Sequence, residues 1–163
     1  MIIGLTIINQ FFMKENTLHS PLNQILATFL HSYIVYKGYH WNFKGKSFHQ
    51  YHKLLDEHAA LIYENIDEVA ERIRQLDGVS EGRFPEYTKL SQLKITETND
   101  VHERDLDKHL TTLLTLHETN ISLLEGTIKL AEKEDDVGTA DMLTSMLEDH
   151  QKMRWMIKSS LGE

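Results

Sequence analysis

His40, His52 and Asp56 are of the types that hold a divalent cation through nitrogen and oxygen, and they flank one Gly-Lys-Ser turn in the stretch YHWNFKGKSFHQYHKLLDE. If the segments on either side fold back as a helical hairpin, residues equidistant from the turn stand at one level. His40 and His52 are each six residues from Lys46. Asp56 follows His52 by four residues, one helical turn along the same face. An H-x-x-x-D pair alone is common on solvated helices, and a polar cluster at a hairpin end is the alternative. The opposed His40 is what makes the pair a candidate metal site.

A second acidic pair, Asp67 and Glu71 in NIDEVAERI, has the same four-residue spacing. Alone, beside Glu68 and Arg72, it describes an ordinary charged face. His52 and Asp67 are fifteen residues apart, about 22 Å along a helix, whereas ligands sit within about 2 to 2.5 Å of their ion. Within one chain the two pairs cannot share a metal. Between two chains they can, because an antiparallel two-fold pairing of this helix about a point between Leu61 and Ile62 sets His52 against Glu71 of the partner subunit and Asp56 against Asp67 of the partner subunit. The fifteen-residue offset is only about 60° of helical rotation, so both pairs share broadly one face. Mixed His and carboxylate ligation suits ferrous iron, and also zinc, manganese or cobalt.

The elements that must position these residues read as long helices. The first is expected from a Ser20 cap with Pro21 at its first position, through Leu22, Ile25, Leu26, Phe29, Leu30 and Tyr33, to about Phe43. Ser47 and Gln50 form an S-x-x-Q capping-box pattern before the second, whose apolar positions are Leu54, Leu55, Ile62, Ile66, Val69 and Ile73, with Gly78 as its stop. A connection over about 79–98 holds a short helix near 86–93 and carries the chain from one end of a bundle to the other. Helices over about 99–134 and 139–161 complete an all-α four-helix bundle.

With 163 residues the chain is expected to form one domain over 18–163, preceded by an N-terminal extension over 1–17. Its opening MIIGLTIINQFFM lacks the basic region of a signal peptide, and Met13 is an equally natural start. No apolar run reaches the 18 residues of a membrane span. The absence of cysteine excludes disulfides, thiolate metal sites and thiol nucleophiles, and fits a reducing, cytoplasmic location. A net charge of -8 opposes general attraction to phosphate backbones and favours cations.

The run HWNFKG, with YHKLLDE placing a second His twelve residues after the first, followed by DEVAERI, resembles the Dps family, the DNA-protection-during-starvation mini-ferritins of bacteria. The resemblance extends over about residues 18–161 and implies a ferritin-like four-helix bundle with a short helix in the long middle connection, assembled as a hollow shell of about twelve subunits. It implies a ferroxidase that oxidises Fe(II), preferentially with hydrogen peroxide, and stores the ferric product, protecting against oxidative stress. By resemblance the intersubunit ligands are His40, His52 and Asp56 from one chain and Asp67 and Glu71 from its two-fold mate, the same set that spacing brings together. Trp41 matches the aromatic beside the family's site, where it packs an interface or intercepts oxidising equivalents. The segment DDVGTADML resembles the acidic lining of three-fold pores through which iron enters, with Asp141 the nearer match and Asp136 the further one. Acids there also suit a helix N-terminus for purely local reasons.

No E-x-x-H pair of the larger ferritins occurs in the chain, so an intrabundle di-iron site is not expected. A rival use of the same shell is as a nucleoid-binding DNA-protection protein or a surface interaction protein. Residues 1 to 36 hold one Lys or Arg, Lys14, and DNA binding through a basic tail is therefore not expected. His19, His31, His49, His58, His102, His109 and His117 are read as surface or packing residues, with His49 and His58 the candidates for groups behind the ligands.

Overall fold

The structure, a computed structural model, describes residues 16–162; the expected N-terminal extension lies outside the described residues except for Asn16 and Thr17. Four long helices, α1 (His19–Asn42), α2 (Phe48–Gln75), α4 (Leu106–Lys133) and α5 (Val137–Ser160), are joined with a short α3 (Phe84–Leu90) in the connection between α2 and α4. Helix α1 packs on α2 and α4 on α5, and contacts of α1 with α4 and of α2 with α5 close the bundle. The all-α fold expected from the sequence is the fold observed.

The periodic apolar positions meet along the bundle axis. Leu22, Ile25 and Phe29 of α1, Leu55, Ile62 and Ile73 of α2, Leu110, Leu113 and Leu124 of α4, and Leu143, Met153 and Ile157 of α5 are all buried. Each such side chain contributes about 1.5–3 kcal/mol on leaving water.

Helices α1 and α4 start elsewhere than expected, α3 and α5 each start two residues early, and α2 starts after Ser47 as expected but with a different cap. Helix α1 begins one residue before Ser20, with Leu18 at the cap position, whose N–H donates to Asn16 Oδ1 at 2.9 Å. Pro21 therefore sits inside the first turn, where its missing N–H had no intrahelical partner to lose. Ser47 does precede α2, but no capping box forms. The Ser47 hydroxyl donates instead to Glu103 Oε1 at 2.5 Å, and the Glu103 carboxylate also accepts the backbone N–H groups of Lys46 and Ser47. An ionised carboxylate brought in from 56 residues away is a stronger acceptor than the local hydroxyl.

Helix α4 starts at Leu106, not near Asn99, because the residues before it are committed to that same turn. Lys44 N–H donates to the Val101 carbonyl at 2.9 Å and Glu103 N–H to the Lys44 carbonyl at 2.8 Å. His102 is consequently outside the helix, capping the short 3-10 turn Glu103–Asp105 through Nδ1.

At the other end of the bundle, α2 stops where Asp77, at φ 62°, turns the chain left-handed. Gly78 is needed there for a different reason: a Cβ on it would lie 2.7 Å from the His19 ring. His19 Nε2 bonds the Leu76 carbonyl at 2.8 Å, and Asn23 receives the Glu81 N–H at 2.8 Å. The connection thus leaves the start of α1, packs α3 on that helix, and reaches the α1–α2 turn at Lys44.

Candidate metal centre

The α1–α2 turn places His40 and His52 face to face, ring centroids 3.8 Å apart and planes inclined by 19°. Their contacts are reciprocal. His40 Nδ1 lies 2.8 Å from the His52 carbonyl oxygen, and His52 Nδ1 lies 2.9 Å from that of His40. A carbonyl only accepts, so both Nδ1 atoms carry a proton and donate, which leaves Nε2 as the ring nitrogen that can face a ligand. Such outer hydrogen bonds fix ring orientation and raise the basicity of a ligating imidazole.

Asp56 is one turn beyond His52, its Oδ1 3.8 Å from His40 Nε2. It stays exposed on α2, and its carboxyl is held below the usual range by a hydrogen bond from Lys37, then by the charge of Lys37 and those of the two imidazoles. Lys37 Nζ donates to the same Oδ1 at 2.7 Å.

Asp67 and Glu71 lie on α2, both exposed, and the helix runs unbroken between them and His52. The structure therefore brings His40, His52 and Asp56 together and leaves Asp67 about 22 Å and Glu71 about 28 Å from His52 along the axis. Among the described residues, no three His, Asp or Glu side chains of the chain stand close enough to hold a metal ion. Two imidazole nitrogens and a carboxylate, two of them buried to intermediate degree, make an open cluster with the donor chemistry of a hard-to-borderline divalent ion. Trp41 is 65% exposed beside it in sequence.

The two acids of the DDVGTADML segment differ in kind. Asp136 caps α5, accepting the Thr139 N–H at 3.0 Å, and pairs with Arg72 at 2.7 Å. Burial pushes its carboxyl up, but the Thr139 hydrogen bonds and the Arg72 guanidinium outweigh that and hold it below its ordinary value. Asp141 is exposed on the first turns of α5.

Sequence inspection missed several participants. Lys37 could have been found as the basic residue one turn before His40. Glu103 gave no local signal, since its partners are distant in sequence. His58, expected from the sequence as a candidate group behind the ligands, instead faces the bundle core, because α2 turns about 200° between Asp56 and His58. There its Nδ1 lies 3.2 Å from the Tyr36 hydroxyl, which lies 2.6 Å from His117 Nε2, while His117 Nδ1 lies 2.9 Å from Nδ1 of His150. Each of the four long helices contributes one member to this buried chain. Burial drives all three imidazoles toward the neutral form, lowering His58 to about 4 and His150 to about 3. Their positions within apolar stripes are the available sequence signal, for His150 as for the other two.

Comparison with known proteins matches the fold and the sequence together. The Ferritin family model, a ferritin-like domain, matches residues 20–163. Solved Dps structures superpose closely: that of Thermosynechococcus elongatus with a TM-score of 0.84 at 28% identity, covering 90% of each chain. That of Vibrio cholerae O1, described as a member of a broad superfamily of ferritin-like diiron-carboxylate proteins, has a TM-score of 0.82 at 28% identity over 88% of each chain. The DNA protection during starvation protein of Porphyromonas gingivalis is 32% identical over 145 residues, 85% of this chain and 84% of that protein. A ferritin-like bundle is thus the class of protein that fold and sequence define. Within that class, the chain belongs to the Dps family.

Proposed function

We propose that two copies of the chain pair their α2 helices antiparallel and build two sites for ferrous iron, each from His40, His52 and Asp56 of one chain and Asp67 and Glu71 of the partner subunit. Membership of the Dps family supports iron storage and stress protection in general. The observation that carries the specific site is the reciprocal His40–His52 pair, whose Nδ1 atoms are both engaged by carbonyls so that Nε2 is the ring nitrogen left for a ligand, that of His40 lying 3.8 Å from Asp56 Oδ1. Asp67 and Glu71, exposed on α2, supply the further oxygens that two irons need.

At such a site two Fe(II) ions give one electron each to hydrogen peroxide, which with two protons leaves as two waters. Oxygen-rich ligation favours the ferric product, and consuming iron and peroxide together prevents hydroxyl radical formation. The product collects inside a cytoplasmic shell of twelve chains, which iron enters past Asp141. Zinc, manganese and cobalt compete for the same ligands.

Co-assembly tests the two-chain site. One variant carries His40→Ala and His52→Ala, the other Asp67→Ala and Glu71→Ala, and either alone damages every site. In a mixed dimer one site collects all the intact ligands. Random pairing makes half the dimers mixed, so co-refolded shells regain roughly a quarter of parental sites, read as iron bound and as peroxide-driven oxidation. No gain over a mixture of separately assembled shells, with mixed dimers present by mass spectrometry, refutes the assignment.

A further inference from the structure

Lys37 places an ammonium inside the ligand cluster, a position unusual for a site meant to attract metal. Its side chain is 18% exposed, and its ammonium rests on Asp56 Oδ1, the oxygen that also faces His40 Nε2. We propose that Lys37 is a resident positive charge of the iron site that limits how tightly the site holds metal and speeds departure of the ferric product. This rests on the assignment of His40, His52 and Asp56 as iron ligands.

The physical basis is Coulombic. Metal–oxygen bonds are about 2.0–2.2 Å long, so an ion bound to Asp56 Oδ1 lies within roughly 5 Å of an ammonium that stays 2.7 Å from the same oxygen. Like charges at that separation repel, and the repulsion grows with the charge of the ion, so Fe(III) feels half as much again as Fe(II). A ligand set rich in carboxylate holds the trivalent product more tightly than the divalent substrate, which would trap the product. A fixed ammonium opposes that trend most strongly in the ferric state. Lys37 does not touch the reacting atoms; it is a positioning and charge-balancing residue acting through Asp56.

Its low exposure gives the ammonium little freedom to leave when metal binds. In the metal-free site it also holds Asp56 in place, so the carboxylate is oriented before iron arrives. Two opposite outcomes of its removal can thus be told apart: a site loosened by loss of orientation binds metal more weakly, whereas a site relieved of a charge binds it more strongly.

Cobalt(II), followed by its visible absorption on assembled shells, measures affinity without turnover. Lys37→Met and Lys37→Gln both remove the charge, and Gln keeps a hydrogen-bond donor toward Asp56. Both are expected to bind Co(II) roughly tenfold more tightly than the parent, while Lys37→Arg stays close to it. In iron oxidation by peroxide, the neutral variants keep a fast first round at one iron complement per site and slow in later rounds. Unchanged or weaker Co(II) binding in both neutral variants overturns the proposal, as does a Lys37→Gln variant that matches the parent while only Lys37→Met differs. His52→Ala is the control for the site itself: if it leaves Co(II) binding intact, the ligand assignment fails and the role of Lys37 fails with it.

Discussion

Acidification should destabilise the bundle through its buried histidines, and the size of the effect can be worked from the core. His58 and His150 are pushed by burial from the ordinary 6.5 to about 4 and about 3, and His117 lies well below the ordinary value for the same reason. Between these values and about 6.5 the unfolded chain binds protons that the folded bundle refuses. Stability is therefore fully present above about 6.5 and is lost as pH falls toward 4 and 3. Each His costs about 1.36 kcal/mol per pH unit in this window, so by pH 5 the pair has removed on the order of 4 kcal/mol, a large share of a domain's stability. The rings touch, with His117 and His150 centroids 5.2 Å apart, so a proton on one makes the next harder to add and the loss ends in cooperative opening rather than stepwise titration. The perturbation is His58→Leu with His150→Leu. Urea unfolding of iron-free protein at one fixed concentration, from pH 5 to pH 8, reads the slope. The variant is expected to lose stability at pH 7 with the hydrogen bonds, yet to show a slope shallower by about two protons. Equal slopes in variant and parent would refute the reasoning.

Two further outcomes follow from the turn and from the α5 terminus. Glu103→Ala should free the Lys46 and Ser47 amides, seen as faster hydrogen exchange there than in the middle of α2, because the carboxylate is their acceptor and no local capping box replaces it. If iron enters past Asp141 as proposed, Asp141→Asn should slow initial mineralisation in low salt while leaving assembly and Co(II) binding intact, since this exposed carboxylate would focus cations; equal initial rates across a salt series would remove Asp141 from the path of iron.

Much of this protein was legible without a structure because its determinants are local and periodic. Apolar residues at helical spacing named the four long helices and their buried faces, and the lack of cysteine narrowed the donors to His, Asp and Glu. Symmetry about Lys46 was enough to oppose His40 and His52, since a short turn between two stiff helices leaves little freedom of register. The same rigidity, 1.5 Å per residue without interruption, separated Asp67 and Glu71 from His52 within one chain. What the tertiary structure decided is everything set by residues distant in sequence. The cap of α2 is Glu103 rather than Ser47 and Gln50, and the start of α4 is delayed because Val101 and Glu103 bond Lys44. The tautomers of His40 and His52 depend on carbonyls across the hairpin, and the ammonium on Asp56 comes from the other helix. Hydrogen bonds and ion pairs are fixed by where side chains arrive in space, and spacing along one chain does not encode that for partners more than a few turns apart.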